Sequence, residues 1–178
     1  MFLQRNAYYK ESIITINQGD RIYHPGHGLG IVKSIRKKSF FGEDKAKFVK
    51  LYFERDDLTW LVRANNLPNT IRTTMSPKEA RKILKHLKSW EGTLSEQWKT
   101  RATANQAAID KGDPYGYAEV VKGLSLMQEQ GSLSATDRRH LNLGIKYLCE
   151  ELSNALGKTQ AHVRQLIEKA TASQPSAA

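Results

Sequence analysis

The chain has 178 residues, with 28 Lys and Arg against 18 Asp and Glu and hence a formal net charge of +10. This balance favours a polyanionic partner, nucleic acid more than a membrane surface. The single cysteine, Cys149, excludes an intrachain disulfide and a four-cysteine zinc site. Because Cys149 falls in a helical apolar pattern, we expect it to be a small core residue.

The chain has no pattern that directs it to a membrane. No apolar run approaches the roughly 18 residues that a membrane-spanning helix needs. The first 16 residues contain Gln4, Arg5, Asn6, Lys10 and Glu11 and no continuous apolar stretch, unlike a signal peptide. We therefore expect a cytoplasmic protein without a membrane partner.

The first structured part of the chain, from about residue 19 to residue 67, has the pattern of a β-sheet. β-prone runs at residues 21–23, 31–35, 48–53 and 59–62 alternate with turn-rich segments, and residues 40–44 suit a hairpin connection. Short strands that follow one another closely, with no helix between them, predict an antiparallel sheet curled into a small barrel.

After residue 68 the pattern changes to helices. The predicted helices begin at Ser76, Thr93, Asp113, Ser134 and Thr159, and the first two starts have Glu three positions later, as in a capping box. The sequence thus predicts an α+β protein with two domains, a small β-barrel and an all-α bundle of about five helices. The expected boundaries are an N-terminal extension (1–17), the β-domain (18–70), the helical domain (76–170) and a flexible tail (171–178).

The sequence offers little for catalysis. It contains no nucleophile-elbow, phosphate-loop or zinc-protease motif. His24 and His27 could ligate a metal, but a role in shaping the glycine-rich turn is favoured because no nearby ligand completes a set. The spaced glycines Gly26, Gly28 and Gly30 lead into a strand, so no helix N-terminus is there to hold a phosphate. We expect no catalytic residue, no metal and no cofactor.

Basic residues and one tryptophan are the stronger candidates. The first predicted helix carries a basic stripe spaced three and four residues apart: Lys78, Arg81, Lys82, Lys85 and Lys88. A solvated face and a DNA-contacting face explain this stripe equally well. Trp98, close to Lys99 and Arg101, could be a core residue or a wedge that enters the minor groove while its neighbours bind phosphates. Trp60 could pack within the sheet or face a partner.

Four segments of the sequence resemble the CarD family of bacterial RNA-polymerase-binding regulators. The segment GDRIYHPGHGLGIV at residues 19–32 resembles the polymerase-interacting module of that family, which also occurs in transcription-repair coupling factors. The segments WKTRATAN (98–105), AEVVKGL (118–124) and LSATDRRHL (133–141) resemble its DNA-binding domain. A coupling factor would also need helicase domains, for which 178 residues are too few.

The resemblance implies a fold, two partners and a set of contact residues. The β-domain would be a Tudor-like or SH3-like barrel that binds the β subunit of RNA polymerase. The helical domain would lie at the upstream edge of the promoter bubble, with the tryptophan that matches Trp98 inserted in the minor groove. The implied DNA contacts are Trp98, Lys99, Arg101 and Asn105, to which Arg81 and Lys85 of the basic stripe are added. The implied polymerase contacts are Arg36, Lys38, Trp60, Leu61 and Arg63.

This sequence departs from the family pattern in two places. Leu61 stands where a basic residue is common in the late strand, with Arg63 two positions later. Thr100 and Thr103 stand where some relatives are basic.

The expected function is stabilisation of the open promoter complex, without enzymatic activity. We expect a monomer that associates with the nucleoid through polymerase. The alternative is a module that binds RNA or the ribosome, because small barrels with basic helices also bind structured RNA.

Overall fold

The structure is a computed structural model that describes residues 15–39, 45–131 and 133–172. Most of the expected N-terminal extension, the expected hairpin connection at residues 40–44 and most of the expected tail lie outside these ranges. Within them, five β-strands are followed by five α-helices. The prediction of an α+β fold with strands first and helices second is confirmed.

The strands form one antiparallel sheet, which is open at both edges among the described residues. They are β1 (Arg21–His24), β2 (Gly28–Lys38), β3 (Ala46–Phe53), β4 (Leu58–Arg63) and β5 (Arg72–Thr73), in the order β4-β3-β2-β1-β5. No pairing of β4 with β5 closes the sheet among the described residues. The expected closed barrel is therefore not confirmed.

One face of the sheet has a core of its own. Side chains alternate between the two faces of a strand, and Val49, Leu51 and Phe53 of β3 are buried on this inner face. The same cluster contains Ile16, Ile22, Val32 and Ile71. Lys50 lies on the other face of β3 and is exposed.

The helices are α1 (Pro77–Ser89), α2 (Trp98–Lys111), α3 (Pro114–Glu129), α4 (Ala135–Leu156) and α5 (Gln160–Thr171). Four of the five predicted starts are confirmed by side chains that cap the helix. Ser76 and Glu79 form a capping box at α1, and Ser134 forms one with Asp137 at α4. Asp113 caps α3 and Thr159 caps α5.

The start of α2 differs from the prediction. The helix begins at Trp98 rather than at Thr93, and its N-cap residue, Gln97, makes no side-chain capping bond. The preceding segment passes over α3, where Leu94 packs on Gly123 so closely that a Cβ there would lie 2.6 Å from Leu94 Cγ. Tertiary contacts of this segment thus override a local capping pattern.

The helices enclose the larger of the two apolar clusters. It contains Cys149, as predicted, together with buried residues of α1, α3, α4 and α5. Tyr23 of β1 also belongs to it, and its hydroxyl lies 3.4 Å from that of Tyr117 on α3. The outer face of β1 is therefore packed against the helices, although β1 contributes Ile22 to the core of the sheet.

Polar contacts with α4 surround this junction. The carboxylate of Glu150 accepts hydrogen bonds from the Leu29 backbone (2.9 Å) and from Arg55 (3.3 Å). Arg72 of β5 donates to Glu151 at 2.5 Å, and its guanidinium lies 4.4 Å from the centre of the Tyr23 ring. The sheet is thus joined to the helices by a buried tyrosine with arginine–carboxylate pairs around it.

Candidate nucleic-acid interface

Trp98 is the most exposed large apolar side chain among the described residues. It is the first residue of α2, and 58% of it is exposed. The ammonium group of Lys99 lies 5.6 Å from the centre of its ring, within the range of a cation–π contact. Of the two interpretations left open by the sequence, burial in the core is therefore wrong for Trp98.

Arg101 lies one turn after Trp98, but its side chain points into the bundle. Only 4% of Arg101 is exposed, and its Nε and Nη2 atoms donate to the two carboxylate oxygens of Asp137 at 3.0 and 2.8 Å. Its Nη1 atom donates to the backbone oxygens of Ser95 (2.7 Å) and Glu96 (3.1 Å). One guanidinium thus joins the segment that leads into Trp98 to the first turn of α4.

Asp137 has a strongly shifted ionisation. The hydrogen bonds from Arg101 are the largest cause, and bonds from Ser134 add to them, so that the pKa of Asp137 is lowered to about 2 although burial opposes the shift. The same bonds raise the pKa of Arg101. Both partners are therefore charged at neutral pH, and the charge of Arg101 is compensated inside the protein.

The expectation that Arg101 and Asn105 contact DNA does not match their positions. Asn105 is only 2% exposed, and its amide nitrogen has no hydrogen-bond partner within the described residues. Arg101 is committed to Asp137 and to two backbone carbonyls. In this conformation neither side chain reaches the surface that carries Trp98, because both project from the buried side of α2.

Two arginines of α4 lie next to the Arg101–Asp137 pair in the chain and were not among the sequence candidates. Arg138 and Arg139 follow Asp137 directly and are exposed. Arg139 donates to Gln106 of α2 at 3.0 Å, and Arg138 donates to the Leu133 backbone at 2.8 Å. The Arg101–Asp137 bonds place the first turns of α2 and α4 side by side, and Arg139 reaches the third turn of α2. The signal was present in the sequence, since the capping residue Ser134 places both arginines in the first turns of a helix.

Arg81 and Lys85 belong to a different surface. Both are exposed on α1, which packs against α3, α4 and α5, whereas α2 packs against α3 and α4. The fold does not bring these two residues together with Trp98. They remain on the predicted basic stripe, all five members of which are exposed.

Four of the five candidate polymerase contacts share the outer face of the sheet. Leu61 is 46% exposed and lies opposite Lys50 of β3, and the guanidinium of Arg63 lies 5.8 Å from the ring centre of Phe48. Arg36 of the neighbouring strand β2 also lies opposite Phe48. Lys38 follows two positions later on β2 and so points to the same face. This outer face combines apolar side chains with cations.

Trp60 lies on the opposite side of the sheet. Its ring packs edge-on against His24, His27 and Phe53, with centroid separations of 5.2, 4.9 and 5.3 Å. Adjacent residues of a strand point to opposite faces, so Trp60 cannot share a surface with Leu61 and Arg63. Trp60 therefore does not share the outer face with the other four candidates, and its contact with polymerase stays a prediction.

The two histidines of the glycine-rich turn have the structural role that the sequence favoured. His24 Nδ1 accepts a bond from the Gly26 backbone at 3.1 Å, and His27 Nδ1 lies 2.6 Å from a carboxylate oxygen of Asp56. Burial is the main cause that lowers the pKa of His24, and the nearby His27 adds to it.

The described residues contain no group of three or more His, Cys, Asp or Glu side chains that could hold a metal ion. Nor is any helix among them both long enough and apolar enough to cross a membrane.

Comparison with known proteins defines the class of the helical part. Residues 82–168, from the second turn of α1 almost to the end of α5, match the family model of the CarD C-terminal domain. The helices that carry Trp98, Arg138 and Arg139 are thus those of a CarD-type domain. The chain is also 26% identical over 147 residues to YdeB of Bacillus subtilis (strain 168), which is named as a candidate transcription factor.

The second match reaches beyond the helices. It covers 82% of this chain and 95% of YdeB, and so includes part of the sheet as well as the helical domain. Together, the two comparisons confirm the resemblance of this chain to the CarD family.

Proposed function

We propose that this protein holds a promoter open by binding RNA polymerase and melted promoter DNA at the same time. Residues 18–70 act as a Tudor-like unit that docks on the β subunit of polymerase. Residues 76–170 act as a DNA-binding unit at the upstream edge of the transcription bubble. The activity is binding rather than catalysis, and it needs little sequence specificity.

The observation that carries this proposal is the exposed indole of Trp98. A large apolar ring at the surface is informative because the favourable free energy of burying it is gained only when a partner covers it. At the edge of melted duplex, such a ring can fill an unstacked base step in the minor groove and oppose closure of the fork.

The cations beside the ring supply the second part of the interaction. Lys99 follows Trp98 directly, and the exposed Arg138 and Arg139 follow Asp137, whose bonds to Arg101 join the first turns of α2 and α4. Phosphate contacts by such residues position a protein on DNA without reading its sequence. The revised DNA surface therefore consists of Trp98 and these three cations, and Arg101 supports it from within.

The sheet supplies the link to polymerase. Its outer face offers Leu61, Arg63, Arg36 and Lys38 as a mixed apolar and basic docking surface. Because the sheet is packed against α4 through Tyr23 and the pairs around it, docking would hold Trp98 at a fixed distance from polymerase. Tethering raises the local concentration of the DNA-binding unit, so its own affinity for DNA can be weak.

The proposal is tested by replacing Trp98 with Ala. We expect a shorter lifetime of open promoter complexes, measured by their decay after addition of a competitor, with unchanged binding to polymerase. Tyr115→Ala is the matched control, because Tyr115 is also an exposed aromatic (40%) but lies at the start of α3 against His86. Equal lifetimes for the two variants would overturn the wedge proposal.

A further inference from the structure

The exposed side of α1 carries a continuous basic stripe. Its members are Lys78, Arg81, Lys82, Lys85 and Lys88. The buried residues Ala80, Ile83 and Leu87 occupy the opposite side of the helix and anchor it in the core. At 1.5 Å of rise per residue, the stripe is about 15 Å long.

Little of the stripe's charge is compensated within the described residues: after the capping bonds from Ser76, Lys82 contributes to the lowered pKa of Glu79. None of the five cations forms an ion pair within residues 15–39, 45–131 and 133–172. Glu79 is engaged in the capping box with Ser76, and Glu119 of α3 pairs with His86 at 3.1 Å. Five like charges thus face solvent along one helix.

The stripe is separate from the surface around Trp98. α1 rests on α3, α4 and α5, whereas Trp98 lies at the start of α2, beside the first turn of α4. The stripe and the indole therefore lie on different helices, and no bond or ring contact of the described residues joins them.

We propose that the stripe on α1 is a second DNA-binding surface, which takes the phosphate backbone of paired duplex DNA. This inference rests on the proposed function, since it assumes that DNA is the partner of the helical domain. Each strand of a duplex carries one phosphate per about 3.4 Å of its axis, so about four to five phosphates of one strand lie within the length of the stripe. Five regularly spaced cations match such a ligand in both charge and length.

The composition of the stripe disfavours other partners. Single-stranded nucleic acid is held by aromatic side chains on which bases stack, and none of the five residues is aromatic. A protein interface has an apolar centre, which the stripe lacks. A membrane-surface helix inserts its apolar face, but that face of α1 is buried in the core.

The test removes charge from the stripe and compares it with the same loss elsewhere. Lys82→Gln with Lys85→Gln is the test variant. Lys146→Gln with Lys158→Gln is the control with equal net charge, because Lys146 is exposed in the middle of α4 and Lys158 is exposed just after its end. Binding to a fully paired duplex and to a forked duplex of equal length is measured over a range of salt concentrations. Thermal unfolding checks that both variants remain folded.

The expected result is a change in salt dependence. Each phosphate contact contributes about 0.9 to the slope of log K against log salt, so the test variant should lose about two units of slope on both DNAs. The control should keep the slope of the unmodified protein. Equal slopes for the two variants would overturn the proposal.

Trp98→Ala separates this inference from the proposed function. That variant should lose preference for the fork over the duplex and keep its salt slope on the duplex. If it keeps its fork preference while the stripe variant loses slope, the wedge fails and the stripe stands. If the stripe variant loses affinity for polymerase but keeps its affinity for DNA, the stripe binds protein and the inference fails. Tighter binding to an RNA duplex of equal length would also overturn it.

Discussion

Asp137 binds Arg101 through both carboxylate oxygens and, with the same carboxylate, closes the capping box at the start of α4. Arg101 in turn holds the Ser95 and Glu96 carbonyls immediately before Trp98. The start of α2 is therefore fixed by a tertiary ion pair in place of a local cap. We interpret Arg101 and Asp137 as positioning residues for the exposed indole.

Asp137→Asn is the direct test of this pair. Removing one partner leaves the buried guanidinium of Arg101 uncompensated, for which the expected loss in free energy of unfolding is about 3 kcal/mol. Denaturant unfolding at neutral pH measures this loss. Asp110→Asn is the control, because Asp110 is an exposed acid on α2 and accepts only from Gln106; it should change stability by less than about 0.5 kcal/mol.

If Arg101 and Asp137 position the indole, Asp137→Asn should also affect open complexes, and only through Trp98. Asp137→Asn should shorten the lifetime of open complexes when Trp98 is present, and should have no further effect on that lifetime in a Trp98→Ala background. Such non-additivity is the sign that one residue acts through the other. Independent, additive effects in the double variant would leave the pair with a structural role alone.

The stability of the fold should depend on the ionisation of Asp137 in acid. Its folded pKa of about 2 lies below the value of 3.8 for an unperturbed Asp, so ionisation stabilises the folded state. This stabilisation, about 2 kcal/mol, is fully present above about pH 5 and is lost as the pH falls toward 2.

The measurement is the free energy of unfolding of the unmodified protein and of Asp137→Asn between these pH values. The gap between the two should shrink by about 2 kcal/mol toward acid pH, because the amide that replaces the carboxylate has no proton to gain. A gap that stays constant would mean that the carboxylate is not the group responsible.

Gly28 lies where the glycine-rich turn meets the carboxylate of Glu150 on α4. Its φ is +74°, and a Cβ there would lie 2.1 Å from a carboxylate oxygen of Glu150. Gly28→Ala should therefore combine backbone strain with the displacement of Glu150 from Leu29 and Arg55. Gly157→Ala is a matched control, since Gly157 also has positive φ (+61°) but meets nothing within 4 Å.

We expect the control to lose about 1 kcal/mol of stability and Gly28→Ala to lose about 1–2 kcal/mol more. Denaturant unfolding of both variants, each with and without Glu150→Ala, measures the difference. In the Glu150→Ala background the extra cost should disappear, because the clashing carboxylate is gone. An extra cost that persists there would place the strain elsewhere in the turn.

What the sequence could predict was local, and what it missed depends on contacts between distant segments. The caps at Ser76 and Ser134 involve neighbours three residues away, so their patterns identify the helix starts. The inward position of Arg101 depends on Asp137, 36 residues later, and a basic residue beside an exposed tryptophan looks like a DNA contact until that partner is known. The opposite faces of Trp60 and Leu61, by contrast, follow from strand alternation and could have been predicted.

Leu61 provides the test of the docking surface on the sheet. It is 46% exposed on β4 and lies opposite Lys50. If this side chain is buried against polymerase, its burial contributes about 1.5–3 kcal/mol to binding. Leu61→Asp should therefore weaken polymerase binding by about tenfold or more.

Gln160→Asp, on the exposed first turn of α5, introduces the same charge on a helix outside the sheet and should leave that affinity unchanged. Both variants should bind forked DNA alone as the unmodified protein does, since the proposed DNA surfaces lie on α1, α2 and α4. An equal loss of polymerase affinity in both would trace the effect to net charge and remove Leu61 from the interface.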